Sequence, residues 1–483
     1  MNVHCSAKWS RALTIGGVGT TLVAILVSAL FVSGTAFANP VAPYVAHQVK
    51  VHPTIQKVTK DTSAVHFGCQ DRPIDGSAGP RCYSPAQIQN AYNIAPLLKA
   101  GINGSGRTIA IIDAFSSPYV QSDLKIFDQT FGLPDPAFEQ IAPQGLTPFD
   151  PTDGNQVGWA EEITLDVLWS HAAAPGAKIL LVLATSNDDS ALYNATKYVI
   201  DHNLADVISQ SFGEAETCMD PNLIKQQHAL FAEAAEKNIT VFASSGDSGA
   251  SQFNCAGTAA ILAASTPASD PLVTGVGGTT LSADANGNYV GETAWTEQLF
   301  GCNPPALAPD DINCSGGGFS TIYKQPAFQA GVPNTRHGQR GVPDVAYDAG
   351  VNGGVLTHCG ICNFVLGFNP TDPTIFFIFG GTSAGSPQWS GLITLADQLA
   401  HRRLGFINPA LYRISRIPGL YKQTFHDITT GNNDVSEIGT GYNAARNWDP
   451  VTGLGTPNAV KLLPMLAVFS YVHDGDDGAH GRA

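Results

Sequence analysis

Continuous apolar runs alternate with amphipathic ones along most of this chain. Arg107-Thr108-Ile109-Ala110-Ile111-Ile112-Asp113 reads as a buried strand ending in an acid, since a branched apolar run of that length suits a strand covered on both faces. Lys178 to Leu183 repeats the signal, and helical spacing follows from Ala191 to His202. Asp206 to Gly213 predicts a strand, Leu223 to Lys237 a helix, and Ile239 to Ser245 a strand again. Further along, Thr374 to Phe379 is an apolar, aromatic strand, and Gln388 to Ala400 has helical spacing with Pro387 at its first position, where a missing N–H costs nothing. Ahead of all these, Ser84 caps a helix that opens on Pro85. The rhythm predicts an α/β fold, a doubly wound and mostly parallel sheet with helices on both faces and a ligand site at the carboxyl ends of its strands. Asp113, Ser209, Asp247 and Ser383 all fall at or near such ends.

Composition narrows the class. A 43% hydrophobic content with 50 Gly and 31 Pro in 483 residues describes a loop-rich globular protein. The net charge of −15 argues against nucleic acid and anionic membrane surfaces as partners. Only 13% of residues are charged, so self-repulsion would fall sharply in acid as carboxylates protonate. Lys8 and Arg11 precede the apolar run Thr21 to Val32, and Ala36-Phe37-Ala38 forms an A-x-A end. That pattern predicts a signal peptide at 1–38 and a secreted protein, free of the membrane once the leader is gone. A short extension or pro-segment at 39–82, a folded domain at 83–467 and a polar tail at 468–483 complete the expected organisation. Beyond Cys5 in the leader the cysteines are even in number, which suits disulfides in an exported chain. Local pairing, Cys69–Cys82, Cys218–Cys255, Cys302–Cys314 and Cys359–Cys362, is the economical arrangement among many.

The chemistry gathers around Gly380-Gly381-Thr382-Ser383-Ala384-Gly385-Ser386-Pro387. A serine between a buried strand and a helix N-terminus, flanked by small residues, has the setting of a nucleophile, though a Gly/Ser turn into a core helix would read the same way. Glu162 and Asp166 stand i, i+4 on a predicted helix, Glu161 to Trp169, so their carboxylates share a face. Two such acids disfavour each other's ionisation, and no Lys or Arg between Glu161 and His171 is there to pair with them. Asp247 lies in the turn Ser244-Ser245-Gly246-Asp247-Ser248-Gly249.

In this order, Glu162-x-x-x-Asp166, Ser-Gly-Asp at Asp247 and Gly-Gly-Thr-Ser-Ala-x-x-Pro at Ser383 resemble the sedolisin (serine-carboxyl) peptidase family, on a subtilisin-like fold. The likeness runs from Tyr83 to Leu466, with Gly275 to Thr280, Ser315 to Ser320 and Val342 to Ala346 in support. It implies that Ser383 attacks the scissile carbonyl, that Glu162 is the base, and that Asp166 orients Glu162. Asp113 would extend that network. Asp247 would sit protonated in the oxyanion hole, since only a neutral carboxyl can donate to the developing charge. Activity would then peak in acid. The resemblance further implies one structural Ca2+ ion held by Asp427, the main chain at Ile428, Ala445 and Asn447, and Asp449; relatives usually carry glycine where Ala445 and Asn447 stand. It also implies a large folded prodomain, for which 39–82 is too short. The expected protein is a secreted, monomeric endopeptidase acting on proteins or peptides in acid. Two other readings stay open: a neutral subtilisin-like enzyme using Asp113, His171 and Ser383, although the chain has no H-G-T-H segment, and a silent binding protein on the same fold.

Overall fold

The computed structural model describes residues 48–470, apart from 50, 52–53, 61–65, 75–78, 80, 298–312, 337 and 435–439. The leader and the polar tail lie outside the described residues. After β1 (Thr54–Thr59), β2 (Cys82–Tyr83) and α1 (Pro85–Ala91), strands and helices alternate: β3 (Thr108–Ala114), α2 (Val120–Phe131), β4 (Phe138–Ile141), α3 (Gly154–Ala173), β5 (Lys178–Ala184), α4 (Asp189–Asp201), β6 (Val207–Gln210), α5 (Pro221–Glu236) and β7 (Thr240–Ser244). Then come β8 (Thr274–Ala283), β9 (Tyr289–Ala294) and β10 (Val345–Asp348), and later β11 (Gly354–Thr357), β12 (Ile375–Gly380) and α6 (Gly385–Ala400).

The large sheet runs β9-β8-β7-β6-β3-β5-β4, with β10 also on β8. Only the β8–β9 pair is antiparallel. The chain leaves β3 toward one edge and β6 toward the other, so these neighbours form the switch point where such sheets bind ligands. Side-chain alternation explains the apolar runs. Ile109 and Ile111 of β3 enter one core with Ile163, Leu165 and Val167 of α3 and Leu392 of α6. Ala110, Ile112 and Ala114 enter another, with Leu192 and Val199 of α4 and Leu230 of α5. A strand apolar on both sides is what a sheet layered between helices needs.

One expectation needs correcting. The strand leading to Ser383, β12, is not in the parallel sheet; it belongs to a separate four-stranded sheet, β1-β12-β11-β2, and pairs antiparallel with both neighbours. Along all of its length β1 faces β12, from Thr54 opposite Gly380 to Thr59 opposite Ile375. The stretch 39–82, polar and weakly periodic, therefore carries a strand of the folded body. Cys69–Cys82, Cys218–Cys255 and Cys359–Cys362 are bonded; Cys302 lies outside the described residues. Among the described residues, no helix is long and apolar enough to cross a membrane.

Candidate active site

Ser383 is delivered by an abrupt change of backbone. After β12 the chain passes Gly381 at φ +103° and makes a single 3-10 turn, Thr382–Ala384, before α6 begins. Pro387 is consequently the third residue of the helix, not the first, but the third N–H also lacks an intrahelical acceptor. A Cβ on Gly381 would stand 2.6 Å from Asp247 Oδ2, so glycine here admits both the left-handed turn and the close approach of the acid. Asp247 Oδ1 accepts from the Thr382 N–H at 2.8 Å and from its hydroxyl at 2.6 Å. The Thr382 oxygen in turn accepts from the Gly246 N–H at 3.2 Å. Oδ2 is left beside Gly381.

Opposite stands α3, capped by the Asp153 side chain on the Asn155 N–H at 2.9 Å. It is buried on almost every side, which accounts for apolar residues all round it. Its neighbour α6 approaches so closely that a Cβ on Gly391 would meet Ala173 Cβ at 2.5 Å. Glu162 and Asp166 project from it fully buried, as does Asp113 near the end of β3. Ser383 itself is 8% exposed, and its hydroxyl donates to the Ser211 carbonyl at 3.3 Å.

The electrostatics follow from this crowding. Burial pushes Glu162 well above the usual carboxyl range, the nearby Ser383 hydroxyl pulls it down, and the charges of Asp113, Asp247 and Glu161 push it up again. Burial likewise raises Asp166, with Asp113 and Glu162 adding to the rise and the Ser211 hydroxyl opposing it. Asp113 is pushed up to about 8 by burial. Asp247 is raised by burial, with its bonds from Thr382 pulling the other way. Burial and their mutual repulsion thus favour the protonated forms of Glu162, Asp166 and Asp113.

His171 sits elsewhere. It lies about two and a half turns beyond Glu162, on the opposite side of α3 and on the order of 13 Å along it. There its Nε2 pairs with Asp128 Oδ1 of α2 at 3.1 Å, both side chains buried. A triad of Asp113, His171 and Ser383 is not assembled. Two further residues adjoin the site without a role foreseen from the sequence: Ser211, whose carbonyl accepts from Ser383 and whose hydroxyl lowers Asp166, and Thr382, which anchors Asp247. The only available signal was their position, one just past β6 and the other adjoining the serine.

Near the carboxyl end, Asp427 and Asp449 reach one turn. Asp427 accepts from the Asn447 N–H at 3.0 Å and from the Tyr421 hydroxyl at 3.0 Å. Asp449 accepts from the N–H groups of Ala445 at 3.1 Å, Val451 at 2.9 Å and Thr452 at 2.8 Å. Burial raises Asp427 and pushes Asp449 up to about 6. Asn447 has φ +69°, and asparagine tolerates that left-handed backbone better than most residues with a Cβ, so it can hold a turn that glycine would otherwise make. Ile428 is buried next to Asp427. No group of three or more His, Cys, Asp or Glu side chains among the described residues could hold a metal; a cation bound at this turn would need main-chain carbonyls as well. Two desolvated carboxylates at one turn fit such an ion.

A doubly wound sheet with a buried serine facing a cluster of carboxyls defines a serine-carboxyl site on a subtilisin-like scaffold. Comparison with known proteins agrees. Kumamolisin from Bacillus sp. (strain MN-32) is 32% identical over 397 residues, 81% of this chain and 64% of that protein. Sedolisin from Pseudomonas sp. (strain 101) is 28% identical over 451 residues, 83% of this chain and 72% of that one. The solved Pseudomonas sedolisin, a serine-carboxyl proteinase complexed with two molecules of pseudo-iodotyrostatin, superposes with a TM-score of 0.68 at 27% identity, covering 82% of this chain and 99% of that one. No family model matches the chain. The chain belongs to the sedolisin family. It spans about two thirds of the length of kumamolisin (64%).

Proposed function

We propose that this protein is a secreted endopeptidase that cuts protein or peptide chains in acid through an acyl-enzyme on Ser383. The observation that carries the reading is the Ser383 hydroxyl, which donates to the Ser211 carbonyl and lies close enough to the buried Glu162 to draw down its raised pKa. Once the carboxyl cluster has lost one proton, Glu162 takes the proton of Ser383 as the oxygen attacks the substrate carbonyl. It then gives that proton to the leaving amine. Water, deprotonated by the same carboxylate, releases the acid product and restores the serine. Asp166 and Asp113 hold Glu162 in place and spread its charge. Asp247, with Oδ1 taken by two donors from Thr382, would carry its own proton on Oδ2 and donate it as a hydrogen bond to the tetrahedral oxyanion.

This chemistry has a pH window. Its lower edge is the first ionisation of the Glu162, Asp166 and Asp113 group, which burial places above that of a free glutamate. Its upper edge is the loss of the Asp247 proton, also delayed by burial. Secretion is supported by the leader pattern in residues 1–38 and by the disulfides. Asp427, Asp449 and the main chain of Ile428, Ala445 and Asn447 would hold a Ca2+ ion, which supplies rigidity and takes no part in the chemistry.

A pH–rate profile on a denatured protein substrate tests the reading. Activity should peak below neutrality, and Asp247→Asn, whose amide donates at any pH, should move the alkaline limb upward even if peak turnover falls. An unmoved limb removes Asp247 from the oxyanion role. Activity still climbing above neutrality overturns the acid mechanism.

A further inference from the structure

The turn that carries Ser383 hangs from a neighbouring loop. The Gly381 carbonyl accepts from the Ala384 N–H at 3.0 Å and so closes the turn around the serine. The Gly381 N–H donates to the Ala349 carbonyl at 2.7 Å. The two backbones touch here: a Cβ on Gly380 would stand 2.6 Å from the Ala349 oxygen and 2.9 Å from the Val351 nitrogen. If Ala349 moves, the start of the nucleophile turn must follow.

Ala349 opens the loop 349–352, which joins β10 to β11. Its first two N–H groups, of Ala349 and Gly350, donate to the Thr279 carbonyl of β8 at 2.8 and 3.2 Å. The next two, of Val351 and Asn352, donate instead to a single side-chain oxygen, Glu297 Oε1, at 2.6 and 3.2 Å. The Trp295 indole N–H reaches the same oxygen at 3.3 Å. Glu297 is 5% exposed and Val351 4%, so water is poorly placed to replace that acceptor. Half of the loop is thus fixed by the sheet, and half by one carboxyl.

We propose that Glu297 is a positioning residue for the reaction at Ser383, holding the loop 349–352 whose Ala349 carbonyl anchors Gly381. The proposal rests on the peptidase reading of that serine. A proton on Oε2 leaves Oε1 able to accept, so the support holds whether or not Glu297 is ionised. Without the side chain, two N–H groups lose their acceptor, and the loop must shift to find another. A displacement of about 1 Å at a reacting group can cost on the order of 100-fold in rate, even when its cause lies far from the chemistry.

Glu297→Ala and Glu297→Gln, set beside the native chain on a chromogenic peptide in acid, decide the matter. Glu297→Ala should lower kcat by about 10–100-fold with KM within about twofold, as when only the transition state loses support. Glu297→Gln, whose amide oxygen can take the same donors, should recover most of the rate. A purely structural role would lower the melting temperature and leave the kcat of the folded fraction at the native value, which overturns the proposal. A raised KM at native kcat overturns it too, as does a Gln variant as slow as the Ala one. If Glu297→Ala does not fold, Glu297→Asp, one methylene shorter, takes its place under the same outcomes. A second measurement needs no turnover. A peptide aldehyde, which forms a hemiacetal with the Ser383 hydroxyl, should bind Glu297→Ala more weakly than the native chain. Equal affinity for the aldehyde overturns the positioning role; weakened binding in a chain that cleaves no peptide keeps it and removes the peptidase reading alone.

Discussion

Two buried acid sites in this molecule are treated in opposite ways. Asp344, just ahead of β10, receives everything a carboxylate can take. Arg340 donates to it from two nitrogens, the Tyr412 hydroxyl donates at 2.8 Å, the Gly275 N–H at 2.9 Å and the Asn408 amide at 3.3 Å. Arg340 and Asp344 are both fully buried. Glu162, Asp166 and Asp113 are equally buried and raise one another's pKa, yet among the described residues none of their carboxyl oxygens has a hydrogen-bond partner. One site spends its hydrogen bonds on holding the chain together. The other leaves its acids without such bonds and pushed toward their protonated forms, an arrangement that clusters at functional sites.

Breaking the second site should cost activity and spare the fold. Ser383→Ala and Glu162→Ala should each lower kcat by about 10²–10⁴-fold or more, the usual weight of a general base or nucleophile. The double variant should be little worse than either one, because the two act as a unit. Near-native turnover by Glu162→Ala would reassign the base. Melting temperatures should stay near that of the native chain, or rise for Glu162→Ala, since a buried carboxyl without hydrogen-bond partners has gone.

Breaking the first site should do the reverse. Asp344→Ala leaves the Arg340 guanidinium charged in the interior, a change worth about 3–5 kcal/mol of stability. Thermal unfolding should show it directly, while the pH–rate profile of whatever remains folded keeps its shape. A shifted profile would tie Asp344 to the chemistry and erase the contrast.

Much of this contrast could be read from the chain, and the reasons are local. The strands β3 and β5 announce themselves because burial on both faces demands unbroken apolar runs. Glu162 and Asp166 declare a shared face because helix geometry alone relates i to i+4. α3 was expected only over 161–169, but it begins at Gly154, since its cap is Asp153 and two glycines weaken the helical signal in its first turns. The sheet that carries Ser383 was misplaced because β12 takes its partners from β1 and β11, and long-range pairing leaves no mark on the strand itself. Ser211 works partly through a carbonyl, which every residue has.

Asp449 and Asp427 stand between the two extremes, well supplied with donors yet still pushed upward by burial. If Ca2+ completes them, it stabilises the native state by mass action, about 2.7 kcal/mol at a hundredfold excess over Kd. A chelator should lower the melting temperature, and Asp449→Ala should remove that sensitivity. A melting curve unmoved by chelation would leave the two acids as turn formers only.

The effect that is smallest in mild acid, and grows with pH, probes the buried Asp113. Asp113 has an ordinary value of 3.8 and is raised to about 8 in the folded protein. The folded state therefore holds a proton that the unfolded chain has already released, and stability must fall as pH climbs from the first value to the second. Below that window the contribution is fully present; above it, lost. Asp113→Asn cannot ionise, so its stability should decline less steeply over the same range, and the two melting curves should converge in acid and part toward neutrality. A destabilisation of 1 kcal/mol moves the melting temperature of a domain this large by only about 2 °C or less, so the comparison needs calorimetry at several pH values. The same substitution takes an ionisable neighbour from Glu162, so the pH dependence of activity should shift as well. If stability and activity both kept the native pH dependence, Asp113 would have to be counted with Asp344, as a buried acid whose charge is settled by its surroundings and not shared with the reaction.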